Sequence, residues 1–207
     1  MTAELSEEMQ ISQADEASML VPTETYLKSG IHIGTKFRTK SMAPYIYKTR
    51  PDGLSVLDIK KIDEKLGNFA EFVAGFAPQD IMVVSRRENG WKPVKAFGRT
   101  TGCKYYVARY PPGMLTNPQL EIFQEAKLLV AVDAWPDRNA IADAKKAGVL
   151  VASLCDTNNT DFGIDFVMPA NNKGKKSLGL LFWVLAREYC KRRGTEFTAT
   201  IEDFTEE

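Results

Sequence analysis

Short apolar runs punctuate the middle of the chain at 81–84, 105–108, 128–132, 149–154 and 166–168. Each is near-continuous rather than alternating, which is the pattern of strands covered on both faces. The first three gaps between them are long enough for a crossover helix each, so the runs predict a parallel sheet. Candidate crossovers lie at 92–101, at 118–123 as a short helix, and at 138–146, the last closed by Gly148. The fourth gap, 156–165, is polar and reads as a loop.

Two longer stretches carry the period of an amphipathic helix. Asp58 is placed to cap one that runs to Gly75, with Ile59, Ile62, Leu66, Phe69, Phe72 and Val73 on one face. A final helix over 175–193 sets Leu178, Leu181, Phe182, Leu185 and Tyr189 in one stripe, with Trp183 and Val184 beside it. Lys191, Arg192 and Arg193 close its last turn, where cations suit the negative end of the helix dipole. By contrast 26–56 is rich in Gly, Lys, Arg and Thr without helical period, and predicts an extended, loop-rich basic segment. The sum is a three-layer α/β fold, a mostly parallel five-stranded sheet with helices on both faces.

Charge changes this picture more than composition does. The 27 basic and 27 acidic residues cancel over the 207-residue chain, but they are not mixed. Every Lys and Arg lies within 25–193, whereas 1–24 carries six acids and 194–207 five, both unopposed. The core keeps the other 16 acids and so has a formal charge of +11, which suits a polyanionic partner. This divides the chain into an acidic leader over 1–24, one α/β domain over 25–193 and an acidic tail over 194–207. For the tails, simple solvation and a role of their own both stand open.

Cys103, Cys155 and Cys190 are odd in number and far apart, matching neither a disulfide framework nor the close pairs of a zinc site. A reducing compartment fits. The N-terminus lacks the basic and apolar features of a secretory signal, and the longest apolar run, 178–186, is about half of what a bilayer span requires. The expectation is a cytoplasmic protein that needs no membrane.

An enzyme of this sheet type would start from Asp133 and Asp156, which follow two strand ends. The glycine-rich dinucleotide turn is missing, however, and both carboxylates read better as loop caps. Gly174-Lys175-Lys176-Ser177 opens a helix like a phosphate-binding loop, but Lys176 stands where Ser or Thr is required and Pro169 where the upstream glycine is. Such a helix start can still meet a nucleic-acid phosphate. His32, the one histidine, sits in Gly30-Ile31-His32-Ile33-Gly34 without a neighbouring nucleophile or carboxylate. A structural imidazole available to stack on or hydrogen-bond to RNA fits this turn better than catalysis.

Three basic clusters hold most of the charge excess: Lys36, Arg38, Lys40, Lys48 and Arg50; Arg86, Arg87, Lys92, Lys95 and Arg99; and Lys173, Lys175, Lys176, Lys191, Arg192 and Arg193. Dispersal over several loops suits a folded RNA read by shape, with His32 beside the first cluster. Long basic side chains also cover apolar surface, so about a third of these touch no phosphate. Tyr45 and Tyr47 are open to two readings, stacking on bases or burial against the core.

Read in order, Ser29-Gly30-Ile31-His32-Ile33-Gly34, Tyr45-Ile46-Tyr47, Arg50-Pro51-Asp52-Gly53 and Val56-Leu57-Asp58 resemble the opening of the universal small-subunit ribosomal protein S-two family. The archaeal and eukaryotic branch, which includes the laminin-receptor precursor, is the most similar. The resemblance continues through the 112–118 segment, Leu154-Cys155-Asp156-Thr157-Asn158, the 169–175 segment and Leu185-Ala186-Arg187-Glu188. Departures are Asp143 in the helix before the fourth strand, Leu150 where proline often enters that strand, and the absence of the long helical hairpin of bacterial members. The resemblance implies a flavodoxin-like sheet and a structural place on the small ribosomal subunit. It also implies partners in small-subunit ribosomal RNA and neighbouring ribosomal proteins, and neither a catalytic site, a cofactor nor a small-molecule substrate.

Overall fold

A computed structural model describes residues 19–205; the first 18 residues of the acidic leader and the last two of the tail lie outside that range. The chain opens with helix α1 (Thr23–Ser29), then a hairpin of β1 (Ile46–Thr49) and β2 (Ser55–Leu57). Helix α2 (Ile59–Ala74) leads into the sheet, whose strands are β3 (Ile81–Ser85), β4 (Lys104–Val107), β5 (Leu128–Ala131), β6 (Leu150–Cys155) and β7 (Phe166–Pro169). Helix α3 (Trp91–Thr101) joins β3 to β4, α4 (Arg138–Lys146) joins β5 to β6, and α5 (Lys175–Arg193) and the short α6 (Ile201–Phe204) follow β7. The sheet order is β4-β3-β5-β6-β7, and every pair is parallel.

The apolar runs are continuous for the reason the sequence suggests: alternate residues of each strand serve different cores. Ile81, Val83, Leu128, Val130, Ala152 and Leu154 join the larger core under α2, α3 and α5. Met82, Val84, Leu129, Ala131 and Val151 face the smaller one, with Ala140, Ile141 and Ala144 of α4. Asp58 caps α2 as expected, accepting from the amide of Lys60 at 3.0 Å. The loop predicted after β6 is a loop.

Three expectations need correction. No helix forms over 118–123; the chain there makes consecutive turns. The Asn117 side chain accepts from the amide of Gln119, and Leu120 closes a turn onto the Asn117 carbonyl, so local bonds outcompete a helix too short to propagate. Tyr110, Met114 and Leu115 of this connection cover the smaller core instead. The 26–56 segment is also more regular than its composition suggests. Tyr26 buries itself from α1, and the turn Arg50-Pro51-Asp52-Gly53, with Gly53 at φ 83°, folds the chain into the hairpin. The third is α5, which is apolar around more than one stripe: Gly179, Leu180 and Val184 are buried as well. Residues 195–205 cover them. Phe204 is buried, Phe197 packs edge-on to Trp183, the Trp183 indole donates to the Ala199 carbonyl, and Lys92 Nζ donates to the carbonyls of Glu202 and Thr205. The packed body thus runs past Arg193.

At the other end the Leu185-Ala186-Arg187-Glu188 stretch ties elements together. Arg187 donates to the Leu20 carbonyl at 2.8 Å and lies over the Trp183 ring, while Arg187 and Arg192 both hold the buried Glu188. Leu20 in turn donates its amide to Asp63, which also accepts from Tyr26.

Candidate nucleic-acid interface

In a parallel sheet all strands end on one side, and the loops leaving that side are the default place for a ligand. Here the loops carry carboxylates, amides and bases within reach of one another. After β3, Arg87 sets two guanidinium nitrogens on Asp133 Oδ2, each at 2.5 Å, from the loop after β5. After β7, Lys173 Nζ reaches Asp156 Oδ2 at 2.8 Å and Asn158 Oδ1 at 3.0 Å, both after β6. Asn159 joins the two pairs. Its side-chain Nδ2 donates to Asp133 Oδ1 at 2.9 Å, and its side-chain Oδ1 accepts from the backbone amide of Asp156 and from Asn172 Nδ2. Asp133 and Asp156 are each 1% exposed, so each buried charge is matched by one base from a different loop.

Asp137 completes this layer. It accepts from the amides of Arg86 and Asp133. Burial pushes its carboxyl up to about 7, against the pull of those two bonds, with Asp133 nearby adding to the rise. Asn171 fastens the β7–α5 turn: its side chain accepts from the amides of Lys173 and Gly174 and donates to the Gly30 carbonyl.

The network reaches the basic loop 35–41. Thr157 Oγ1 accepts from the Thr35 amide at 2.9 Å and shares a hydrogen bond with the Thr35 hydroxyl at 2.9 Å. Thr39 donates its amide to the Thr157 carbonyl and its hydroxyl to the Asn159 carbonyl, and Ser41 donates to Asp161. Lys36, Arg38 and Lys40 thereby project into solvent from a loop held at both ends. Arg38 touches the Thr49 hydroxyl of the hairpin at 3.5 Å, beside the exposed Lys48 and Arg50.

Of the residues expected to meet RNA, Lys36, Arg38, Lys40 and Arg86 gather at this end of the sheet, with Lys175 and Lys176 in the exposed first turn of α5. Arg87 and Lys173 are there too, but each is committed to a buried carboxylate. Arg99 and the trio Lys191, Arg192 and Arg193 are elsewhere. They occupy the last turns of α3 and α5, at the opposite end of the sheet, and α5 alone separates its two basic ends by about 27 Å. Arg192 is spent on Glu188 and the Gly67 carbonyl. His32 lies at the base of the hairpin, its carbonyl accepting from the Leu57 amide, and shares a groove with Lys48. Burial lowers its pKa, and it lines an apolar groove of about 670 Å³ with Met19, Leu27, Tyr47, Val56 and Ile59.

The structure adds residues that spacing did not single out. Asn159 organises the loops together with Thr157 and Asn172, which lie in the family-like segments, and the signal for it is the density of Asn and Asp directly after strand ends. Two aromatic side chains project from loops at this end, Phe37 at 80% exposure and Trp135 at 72%. Tyr47 is exposed on the hairpin, whereas Tyr45 packs against the core.

A family model described as ribosomal protein S2 matches residues 26–127 and 121–191. The chain belongs to the ribosomal protein S2 family. Similar proteins include the small ribosomal subunit protein uS2 of Nanoarchaeum equitans, 49% identical over 175 residues that cover 84% of this chain and 87% of that protein. That of Thermoplasma volcanium is 46% identical over 195 residues, 91% of this chain and 98% of its own length. The uS2 protein of Ignicoccus hospitalis is 45% identical over 177 residues, 85% and 84% of the two chains. These S2 matches include the basic loop, the hairpin and the whole carboxylate network, and all three relatives are archaeal, the branch that the motifs resemble.

Proposed function

We propose that this chain is a structural constituent of the small ribosomal subunit in the cytoplasm, where it binds small-subunit ribosomal RNA during assembly and translation. Relatives named small ribosomal subunit protein uS2 and aligned over nearly the whole chain carry the reading. Lys36, Arg38, Lys40, Lys48, Arg50, Arg86, Lys175 and Lys176 supply the phosphate contacts, and Phe37 and Trp135 offer faces for unpaired bases. Arg99, Lys191 and Arg193, at the far end, form a second and separate contact. Neighbouring ribosomal proteins meet the apolar groove beside His32, where Leu27 and Tyr47 are left exposed.

The arrangement suits this role chemically. At the strand ends, where an α/β enzyme would take an anionic ligand, Asp133 and Asp156 already occupy Arg87 and Lys173. The bases named for phosphate contact lie outside that layer and are exposed to solvent, as contact with a long polyanion requires. The test is co-sedimentation of the intact chain with archaeal small subunits depleted of uS2, at moderate salt. Stable association is expected, with an affinity for transcribed small-subunit RNA that falls steeply with salt. A triple Lys36→Ala, Arg38→Ala, Lys40→Ala variant should reduce the slope of log affinity against log salt by about two to three. A chain that stays off the subunits would defeat the proposal.

A further inference from the structure

We infer that Thr157 and Asn159, which cannot touch RNA themselves, are positioning residues for RNA binding because they set the loop that carries Lys36, Arg38 and Lys40. The inference rests on the reading that this loop meets phosphate. Thr157 is fully buried and Asn159 is 4% exposed, so neither offers a contact surface. Yet among the described residues the loop has few other supports. Between Gly34 and Ser41 its bonds to the rest of the molecule run to Ser55 of the hairpin, Thr49 through the Arg38 side chain, and residues 157–161.

Both anchors are themselves fixed by the buried charges. The Asp156 carboxylate accepts from the Thr157 amide, and Lys173 holds the same carboxylate from the other side. Asn159 is locked by Asp133, Asn172 and the Asp156 amide. A chain of contacts therefore runs from Arg87 and Lys173, through two carboxylates and two polar residues, to three solvent-facing bases on another part of the sequence. Gly34 shows how close the fit is. A Cβ there would overlap Thr157 Cγ2 and lie 2.9 Å from the Ser55 carbonyl oxygen.

A loop held in place loses little freedom when phosphate binds, whereas a loosened one must be ordered at that moment. Positioning therefore changes affinity without changing the number of phosphates neutralised. That separates it from a direct contact, because the salt slope counts contacts and not their preorganisation. Thr157→Val keeps the shape and removes the oxygen that Thr35 uses. Thr157→Ser keeps the oxygen.

The experiment measures affinity for transcribed archaeal small-subunit RNA over a salt series, with thermal melting of each free protein. Thr157→Val should bind about three- to tenfold more weakly at every salt concentration, with the slope unchanged, and Thr157→Ser should restore binding. Gly34→Ala, which displaces the loop from its own side, should show the same weakening. Lower melting temperatures with unchanged affinity in both variants would make the contacts merely structural and overturn the inference, as would a slope reduced by about one or more in Thr157→Val. The triple alanine variant separates this from the wider reading. If it lacks the expected fall in slope, the loop does not meet RNA and both fail; if it shows that fall while Thr157→Val binds normally, only the positioning role fails.

Discussion

Arg86 and Arg87 are adjacent and interchangeable in the sequence, but the fold gives them opposite tasks, and substitution should expose the difference. Arg87→Met removes both guanidinium contacts to Asp133 and leaves that carboxylate buried with, among the described residues, the Trp135 amide and the Asn159 side chain as donors. Breaking one partner from a buried ion pair costs about 3–5 kcal/mol. The Arg87 side chain is one-third exposed, and water can partly replace it, so a loss of about 2–3 kcal/mol is the better expectation. Against a total of roughly 5–15 kcal/mol for a domain, that is a large fraction. Adding Asp133→Asn should recover part of it, because the buried charge goes while an acceptor stays. Arg86→Ala, on an exposed side chain, should change stability by less than about 0.5 kcal/mol but lower the salt slope of RNA binding by about 0.9. Urea unfolding at fixed pH and RNA titrations over a salt series provide the two readouts. An Arg87→Met protein of wild-type stability whose salt slope drops by about one would refute the assignment of Arg87 to the interior.

Two further predictions concern packing and protonation. Gly179→Ala should gain about 1 kcal/mol from helix propensity alone, but its Cβ would overlap Thr205 Cγ2 and sit 3.0 Å from the Phe204 carbonyl oxygen; overpacking of this kind costs about 1–3 kcal/mol, so urea unfolding should show a net loss of about 1–2 kcal/mol, with faster cleavage at Glu196 and Glu202 by a glutamate-specific protease. For Asp137 the folded pKa of about 7 lies above the reference 3.8, so the folded state retains a proton that the unfolded state releases. Its contribution is therefore complete at low pH and fades as pH rises toward and through 7. Between pH 8 and 5.5 the wild type should gain about 1–2 kcal/mol relative to Asp137→Asn. Taking that difference removes the opposite trend from His32, whose lowered pKa costs stability as pH falls.

The sheet was legible in the chain because strands buried on both faces must be apolar at nearly every position, and five such runs, the first four separated by crossover-length gaps, leave few alternatives. Asp58 and Gly148 marked helix ends by local chemistry that needs no tertiary partner. The basic core was equally plain once position was considered along with the sum, and the ordered motifs pointed to the S2 family. Pairing across the fold was not legible. Nothing local distinguishes Arg87 from Arg86, or Lys173 from Lys175, since the carboxylates that claim Arg87 and Lys173 lie 46 and 17 residues away. One sequence cluster, 173–193, was divided between two ends of the molecule because a 19-residue helix is rigid and long. The burial of Phe204 likewise depends on a gap above Gly179 that exists only when α5 and α3 are already side by side. Sequence by itself determined which residues could be strand, helix, apolar core or polyanion contact, for those follow from period and charge. Tertiary structure alone decided which bases remain for RNA, because a buried carboxylate has to be neutralised by whichever cation the fold brings within about 3 Å.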